Sequence, residues 1–201
     1  MFKHGDLTKA RTCLILCPVN VISNWAAEFS YWLSGLRPTV KVHQFSLFKT
    51  KSARWERLEK WNEKGGVMLM GYEIYRRMSN DSDYNFFLSD PGPDLVVCDE
   101  GHVLKNQNAG ISKALNKIRT TRRIILTGTP LQNNLKEYYY MVHFVKPHLC
   151  KLIQTSISFG LENRTTQMDI FQWERIVNSK ISLLILFEEV STKIQIFMRS
   201  N

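Results

Sequence analysis

The sequence predicts an α/β fold, a parallel sheet with helices on both faces. Three observations point to it. Short, largely apolar runs alternate with stretches of helical periodicity. Most of those runs do not alternate polar with apolar, which suits strands covered on both sides. Two of them end in polar clusters, Asp99-Glu100-Gly101-His102 and Thr127-Gly128-Thr129. Parallel sheets collect such clusters at the carboxyl ends of their strands, where ligands bind.

The elements follow in chain order. Thr12–Cys17 is the first apolar run and predicts a buried strand. Residues 20–33 place Val21, Trp25, Phe29, Trp32 and Leu33 at helical spacing, with Gly35 as the stop. Residues 41–46 predict a second strand. Residues 51–63 set Trp55, Leu58 and Trp61 on a charged background and predict a helix. Gly66–Gly71 is a third strand. Residues 80–83 are polar and predict an exposed turn, and Pro91-Gly92-Pro93 a rigid loop. Residues 94–99 form a fourth strand. Residues 109–119 align Ile111, Leu115 and Ile118 on one helical face, and residues 123–128 form a fifth strand. Leu135–Val145 predicts a last helix, stopped before Pro147. Near Cys150 the pattern changes. Residues 1–150 are expected to form one lobe, and residues 151–201 a divergent, disordered or loosely helical tail.

The chain has 201 residues and a net charge of +9. Residues 1–150 hold 21 Lys and Arg against 13 Asp and Glu, so the basic excess travels with the motif-bearing part. Such a surface favours an anionic partner, although a well-solvated basic surface is also ordinary. The four cysteines form no C-x-x-C pair, so neither zinc nor a disulfide framework is expected. No signal-peptide core opens the chain, and the apolar run at residues 181–187 is too short to span a bilayer.

The clusters carry specific chemistry. A carboxylate at a strand end can hold Mg²⁺ through water, because Mg²⁺ keeps most of its hydration. A neighbouring carboxylate can orient or deprotonate the water that attacks a phosphoryl group. Asp99 and Glu100 suit these roles only where the strand is ending, and Gly101 marks that point. The alternative is that Asp99 caps a following helix and Glu100 is merely exposed. His102 is either a loop histidine or a residue coupling the nucleotide side to the turn at residues 127–129. Thr127 and Thr129 either serve that turn or simply reflect turn chemistry. Lys105 either contacts phosphate or ends a helical turn. The phosphate-binding loop G-x-x-x-x-G-K-[ST] is missing, and no glycine in the chain precedes a lysine.

Together these motifs resemble the first RecA-like lobe of Swi/Snf-type ATPases in helicase superfamily two. Leu14-Ile15-Leu16-Cys17-Pro18, continuing to Asn24-Trp25, resembles motif Ia and its helix. Gly71-Tyr72-Glu73 resembles the segment between motifs Ia and II. Asp99-Glu100-Gly101-His102-Val103-Leu104-Lys105-Asn106 resembles motif II, a DEAH-like box, and residues 126–134 resemble motif III. Gly101 in place of the commoner Ala, residues 90–94 and Arg122-Arg123-Ile124-Ile125 point to the ATRX-like branch and its androgen-receptor-interacting relative. The match covers residues 10–149.

The resemblance implies an ATP-driven translocase on double-stranded DNA that remodels chromatin in the nucleus, with histones or other nuclear proteins as further partners and no membrane. It implies ATP and Mg²⁺ as cofactors. By motif matching, Asp99 binds Mg²⁺ through water, Glu100 activates water, and His102, Thr127, Gly128 and Thr129 couple nucleotide state to DNA contact. Pro18, Val19, Asn20 and Lys105 lie near nucleic acid. Without a phosphate loop or a second RecA-like lobe, the chain is expected to be a fragment that holds ATP weakly and does not turn it over. A non-catalytic DNA- or protein-binding module and a nonfunctional truncated product are the alternatives.

Overall fold

The computed structural model describes residues 10–35, 40–104, 109–128 and 135–147, with side chains omitted for 135–139. The chain divides into two units, Met1–Leu152 and Ile153–Asn201; every described residue belongs to the first. The expected tail therefore lies outside the described residues.

Among the described residues, five strands form one parallel sheet: β1 (Thr12–Cys17), β2 (Val42–Gln44), β3 (Gly66–Gly71), β4 (Leu95–Cys98) and β5 (Arg123–Ile125). Their order is β2-β3-β1-β4-β5. The most apolar runs, β1 and β3, are buried along their whole length and lie side by side, from Thr12 opposite Gly66 to Cys17 opposite Gly71. β4 pairs on the other side, Cys13 with Leu95 through Leu16 with Cys98.

Strand alternation divides the core in two. Cys13, Ile15, Cys17, Val67, Leu69 and Val97 face one side, where Ile22, Trp25 and Phe29 of helix α1 (Ile22–Leu33) cover them. Leu14, Leu16, Met68, Met70, Val96 and Cys98 face the other. That side is covered from α2 (Lys51–Lys64), α3 (Tyr72–Met78), α4 (Asn85–Leu88), α5 (Gly110–Asn116) and α6 (Leu135–Val145). Trp61 and Tyr75 are buried there and still satisfy their polar ends: Trp61 Nε1 donates to the Gly66 carbonyl at 3.0 Å, and the Tyr75 hydroxyl reaches the Leu88 and Ala114 carbonyls at 3.4 Å. Each large side chain buried this way contributes about 1.5–3 kcal/mol. The ion pairs Lys51–Asp83, Arg76–Glu73 and Arg119–Asp90 are exposed and screened by solvent, so burial rather than charge pairing holds the fold.

Several expected boundaries shift. The second strand stops at Gln44 because residues 45–47 turn into a 3₁₀ helix that buries Phe45. Asp94 does not join β4. Its carboxylate accepts from the Arg11 and Thr12 amides at 2.7 and 2.9 Å and from the Thr12 hydroxyl, while its own amide donates back to Thr12 Oγ1 at 3.0 Å. The fifth strand ends at Ile125 rather than 128, and α5 is shorter than the expected 109–119. The helices α3 and α4 are additions to the sequence reading. Gly66 enters β3 at φ 115°, where a β-carbon would lie 2.4 Å from the Lys41 carbonyl oxygen, so glycine is required.

Arg123 fastens the far end of the sheet. Its guanidinium donates to the carbonyls of Thr120, Phe144 and Ile118 at 2.9, 3.2 and 2.7 Å and lies 4.7 Å from the Phe144 ring centroid. Burial lowers its pKa.

Candidate active site

All five strands run in one direction, so their carboxyl ends share an edge. That edge receives Pro18 from β1, Tyr72 from β3, Asp99 and Glu100 from β4, and Thr127 from β5. The expected juxtaposition of Asp99, Glu100 and Thr127 is present.

Asp99 is held at four points. Its amide donates to the Leu16 carbonyl at 2.8 Å, and its carbonyl accepts from the Tyr72 hydroxyl at 2.6 Å. Its Oδ1 accepts from the Glu100 amide at 2.9 Å and its Oδ2 from Trp25 Nε1 at 2.8 Å. This carboxylate is engaged across the sheet, not merely placed as a helix cap. Each oxygen keeps acceptor capacity beyond those bonds.

Glu100 is half-buried and stands at φ 53°. Left-handed backbone costs a non-glycine residue roughly 1–2 kcal/mol, and such strain concentrates at functional sites. The bend ends the strand and starts a 3₁₀ turn over Gly101–Leu104, closed by the Val103 amide donating to the Glu100 carbonyl at 3.1 Å. His102 Nδ1 lies 3.2 Å from Glu100 Oε2, so the histidine meets the carboxylate rather than a distant backbone group.

β4 and β5 are laced together at the same place. The Leu126 amide donates to the Cys98 carbonyl, and the Gly101 amide to the Leu126 carbonyl, both at 2.8 Å. A β-carbon on Gly101 would come within 2.0 Å of Ile125 Cγ2. Thr127 and Gly128 follow directly and are exposed. Thr129 and Lys105 lie outside the described residues.

Residues 18–21 form the exit of β1. The Val21 amide donates to the Pro18 carbonyl at 3.1 Å, and Val19–Val21 is a 3₁₀ turn with Val19 and Asn20 exposed. The groups beneath the edge are neutral. Burial pushes the Cys17 thiol up to about 12, helped by the charge of Asp99. Burial, then Cys98 and Asp99, raises the Tyr72 phenol, which stays a protonated donor.

The donor set suits Mg²⁺. It offers two adjacent carboxylates at an open edge, and Mg²⁺ binds through one or two carboxylates and waters rather than through an all-protein cage. The motif that cradles a triphosphate with backbone amides and a lysine, G-x-x-x-x-G-K-[ST], is not among these 201 residues.

Trp25 and Tyr72 are the site residues that sequence reasoning missed as such. Trp25 counts as an apolar position of its helix and as part of the motif Ia resemblance, and Tyr72 as one position of a family segment, neither as a partner of Asp99. A carboxylate that closes an apolar strand needs hydrogen-bond donors there, and that was the available signal that such donors should exist.

Comparison with known proteins agrees with this architecture. The family model described as the SNF2-related domain matches residues 1–160. The transcriptional regulator ATRX homologue of Drosophila melanogaster is 48% identical over 147 residues, covering 68% of this chain and 11% of that protein. Human transcriptional regulator ATRX is 48% identical over 149 residues, covering 69% and 6%. Protein CHROMATIN REMODELING 20 of Arabidopsis thaliana is 37% identical over 201 residues, covering 92% and 13%. The chain thus spans between about a twentieth and an eighth of the length of these relatives. In structure it is similar to the SWI2/SNF2 ATPase core of Sulfolobus solfataricus, solved in complex with dsDNA, at a TM-score of 0.58 and 20% identity, covering 89% of this chain and 35% of that one.

Proposed function

The chain belongs to the SNF2-related domain family, and from that premise we propose that it is the acid-bearing part of the first RecA-like lobe of an ATRX-like, ATP-driven translocase on double-stranded DNA. One observation carries the reading. A wholly parallel sheet brings Asp99, Glu100 and the exit of β5 to one edge, and Glu100 is held there in left-handed backbone.

Each residue has a role in this reading. Asp99 would hold Mg²⁺ through water, and the metal, when bound, neutralises charge on phosphate oxygens. Glu100 would orient the attacking water and accept its proton. His102, 3.2 Å from Glu100, would pass the state of that carboxylate to the β5 exit at Thr127, Gly128 and Thr129. Pro18, Val19, Asn20 and Lys105 would face the DNA backbone. Chromatin is the substrate this implies and the nucleus the location, with histones among the partners.

A chimera tests the proposal. The segment of the Drosophila ATRX homologue matched by this chain is replaced by the corresponding residues here, and ATP hydrolysis is followed with and without duplex DNA. DNA-stimulated hydrolysis should fall at least about a hundredfold on Glu100→Gln. Hydrolysis indifferent to that substitution would sink the assignment. A second reading, a DNA-binding module without catalysis, is favoured for the 201-residue chain by its lack of a phosphate loop.

A further inference from the structure

Three neighbouring elements converge on Asp99. β1 supplies the Leu16 carbonyl, the helix after β1 supplies the Trp25 indole, and the helix after β3 supplies the Tyr72 hydroxyl. Of these, only Trp25 acts on the carboxylate. Its N–H meets Oδ2 at 2.8 Å, while the Glu100 amide occupies Oδ1 at 2.9 Å. With one bond on each oxygen, rotation of the carboxylate would break both. Its remaining acceptor capacity is left at the open edge.

Trp25 is itself well anchored. It is half-buried on the α1 side of the sheet and packs against Phe29, with ring centroids 5.8 Å apart. It lies one helical turn beyond Val19–Val21. That turn is seated in turn on β3: a β-carbon on Gly71 would approach Val19 Cγ2 to 2.9 Å. A displacement of residues 18–21 therefore moves the start of α1, and with it the indole that grips Asp99.

We propose that Trp25 is a positioning residue: its indole N–H orients the Asp99 carboxylate for a hydrated divalent cation and joins that carboxylate mechanically to the turn at residues 18–21. The proposal rests on the reading of Asp99 as the Mg²⁺-side carboxylate. Hydrogen-bond partners behind a metal ligand typically set about 10- to 100-fold in affinity. A phenyl ring at position 25 removes the donor and retains most of the packing against Phe29.

The test uses the full 201-residue chain labelled with ¹⁵N, and Mn²⁺ alone as the probe. Paramagnetic broadening of the Glu100 and Gly101 amides reports the metal, and the Trp25 indole resonance reports the contact. Trp25→Phe should weaken Mn²⁺ binding about tenfold while the other amide resonances keep their dispersion. Asp99→Ala should move the Trp25 indole resonance and speed its exchange with solvent, which needs no metal and no change at position 25. Wild-type affinity in Trp25→Phe, or an indole unmoved by Asp99→Ala, would overturn the proposal alone. Absence of Mn²⁺ broadening around Glu100 in the wild-type chain would instead remove the metal reading of Asp99, and the proposal with it.

Discussion

Gly101 has no side chain because β5 occupies the space. Its amide is bonded to Leu126, and a β-carbon would press on Ile125 Cγ2, a branch close to the main chain that cannot swing clear. Gly101→Ala should therefore cost about 1–3 kcal/mol, the usual penalty of overpacking. Urea denaturation of the variant measures it. Ile125→Ala added to Gly101→Ala should recover part of the loss relative to Ile125→Ala alone, and full additivity of the two costs would refute the steric explanation. Sequence showed Asp99, Glu100 and Thr127 as a group because each closes an apolar run. It did not show Trp25 reaching Asp99, because that contact joins residues 74 positions apart and Trp25 already fits the apolar stripe of its helix.

The strands were legible where burial is continuous. Thr12–Cys17 and Gly66–Gly71 match the reading residue for residue, since both lie at the centre of the sheet. Edges were less legible. Side-chain bonding withdrew Asp94 from β4, and burial of Phe45 cut β2 short. The helices α3 and α4 have 7 and 4 residues, too few to display a period. Arg123 shows how an element can be secured by a residue that looks like surface charge in sequence. It joins the loop before β5 to the last turn of α6 through three carbonyls. Arg123→Met should cost roughly 2 kcal/mol, because those carbonyls lose a charged donor. Arg123→Lys should fall between, since an ammonium cannot span the same fork. Hydrogen exchange at the Lys146 amide, bonded to the Val142 carbonyl at 2.8 Å, reports the loosening of α6. Unchanged protection there in Arg123→Met would count against this role.

At the scale of the molecule, chemistry and charge separate. In the proposed reading the purified 201-residue chain should show no DNA-stimulated ATPase, because Asp99 and Glu100 would act only on a triphosphate already held, and the loop that would hold it is not among these residues. Loss of one transition-state donor often costs about a hundredfold or more. The net charge of +9 should still support weak binding of duplex DNA that fades as salt rises. Fluorescence anisotropy across a salt series, beside an ATPase assay with Glu100→Gln as control, addresses both. DNA-stimulated turnover in the wild type that vanishes in the variant would overturn the first expectation; affinity insensitive to salt would overturn the second.

The sheet order also has a bearing on how the chain is made. β1 lies between β3 and β4, so the strand translated first among the five is the one with the most distant partners. Thr12 must wait for Gly66, and Cys13 for Leu95. At roughly 5–20 residues per second, the apolar run Thr12–Cys17 spends several seconds outside the ribosome before either neighbour exists. α1 emerges soon after β1 and can shield one face of it during that interval, leaving the opposite face and both edges open. A nascent chain that has exposed β1 but not yet Gly66 should therefore be the form that chaperones recognise and that aggregates most readily.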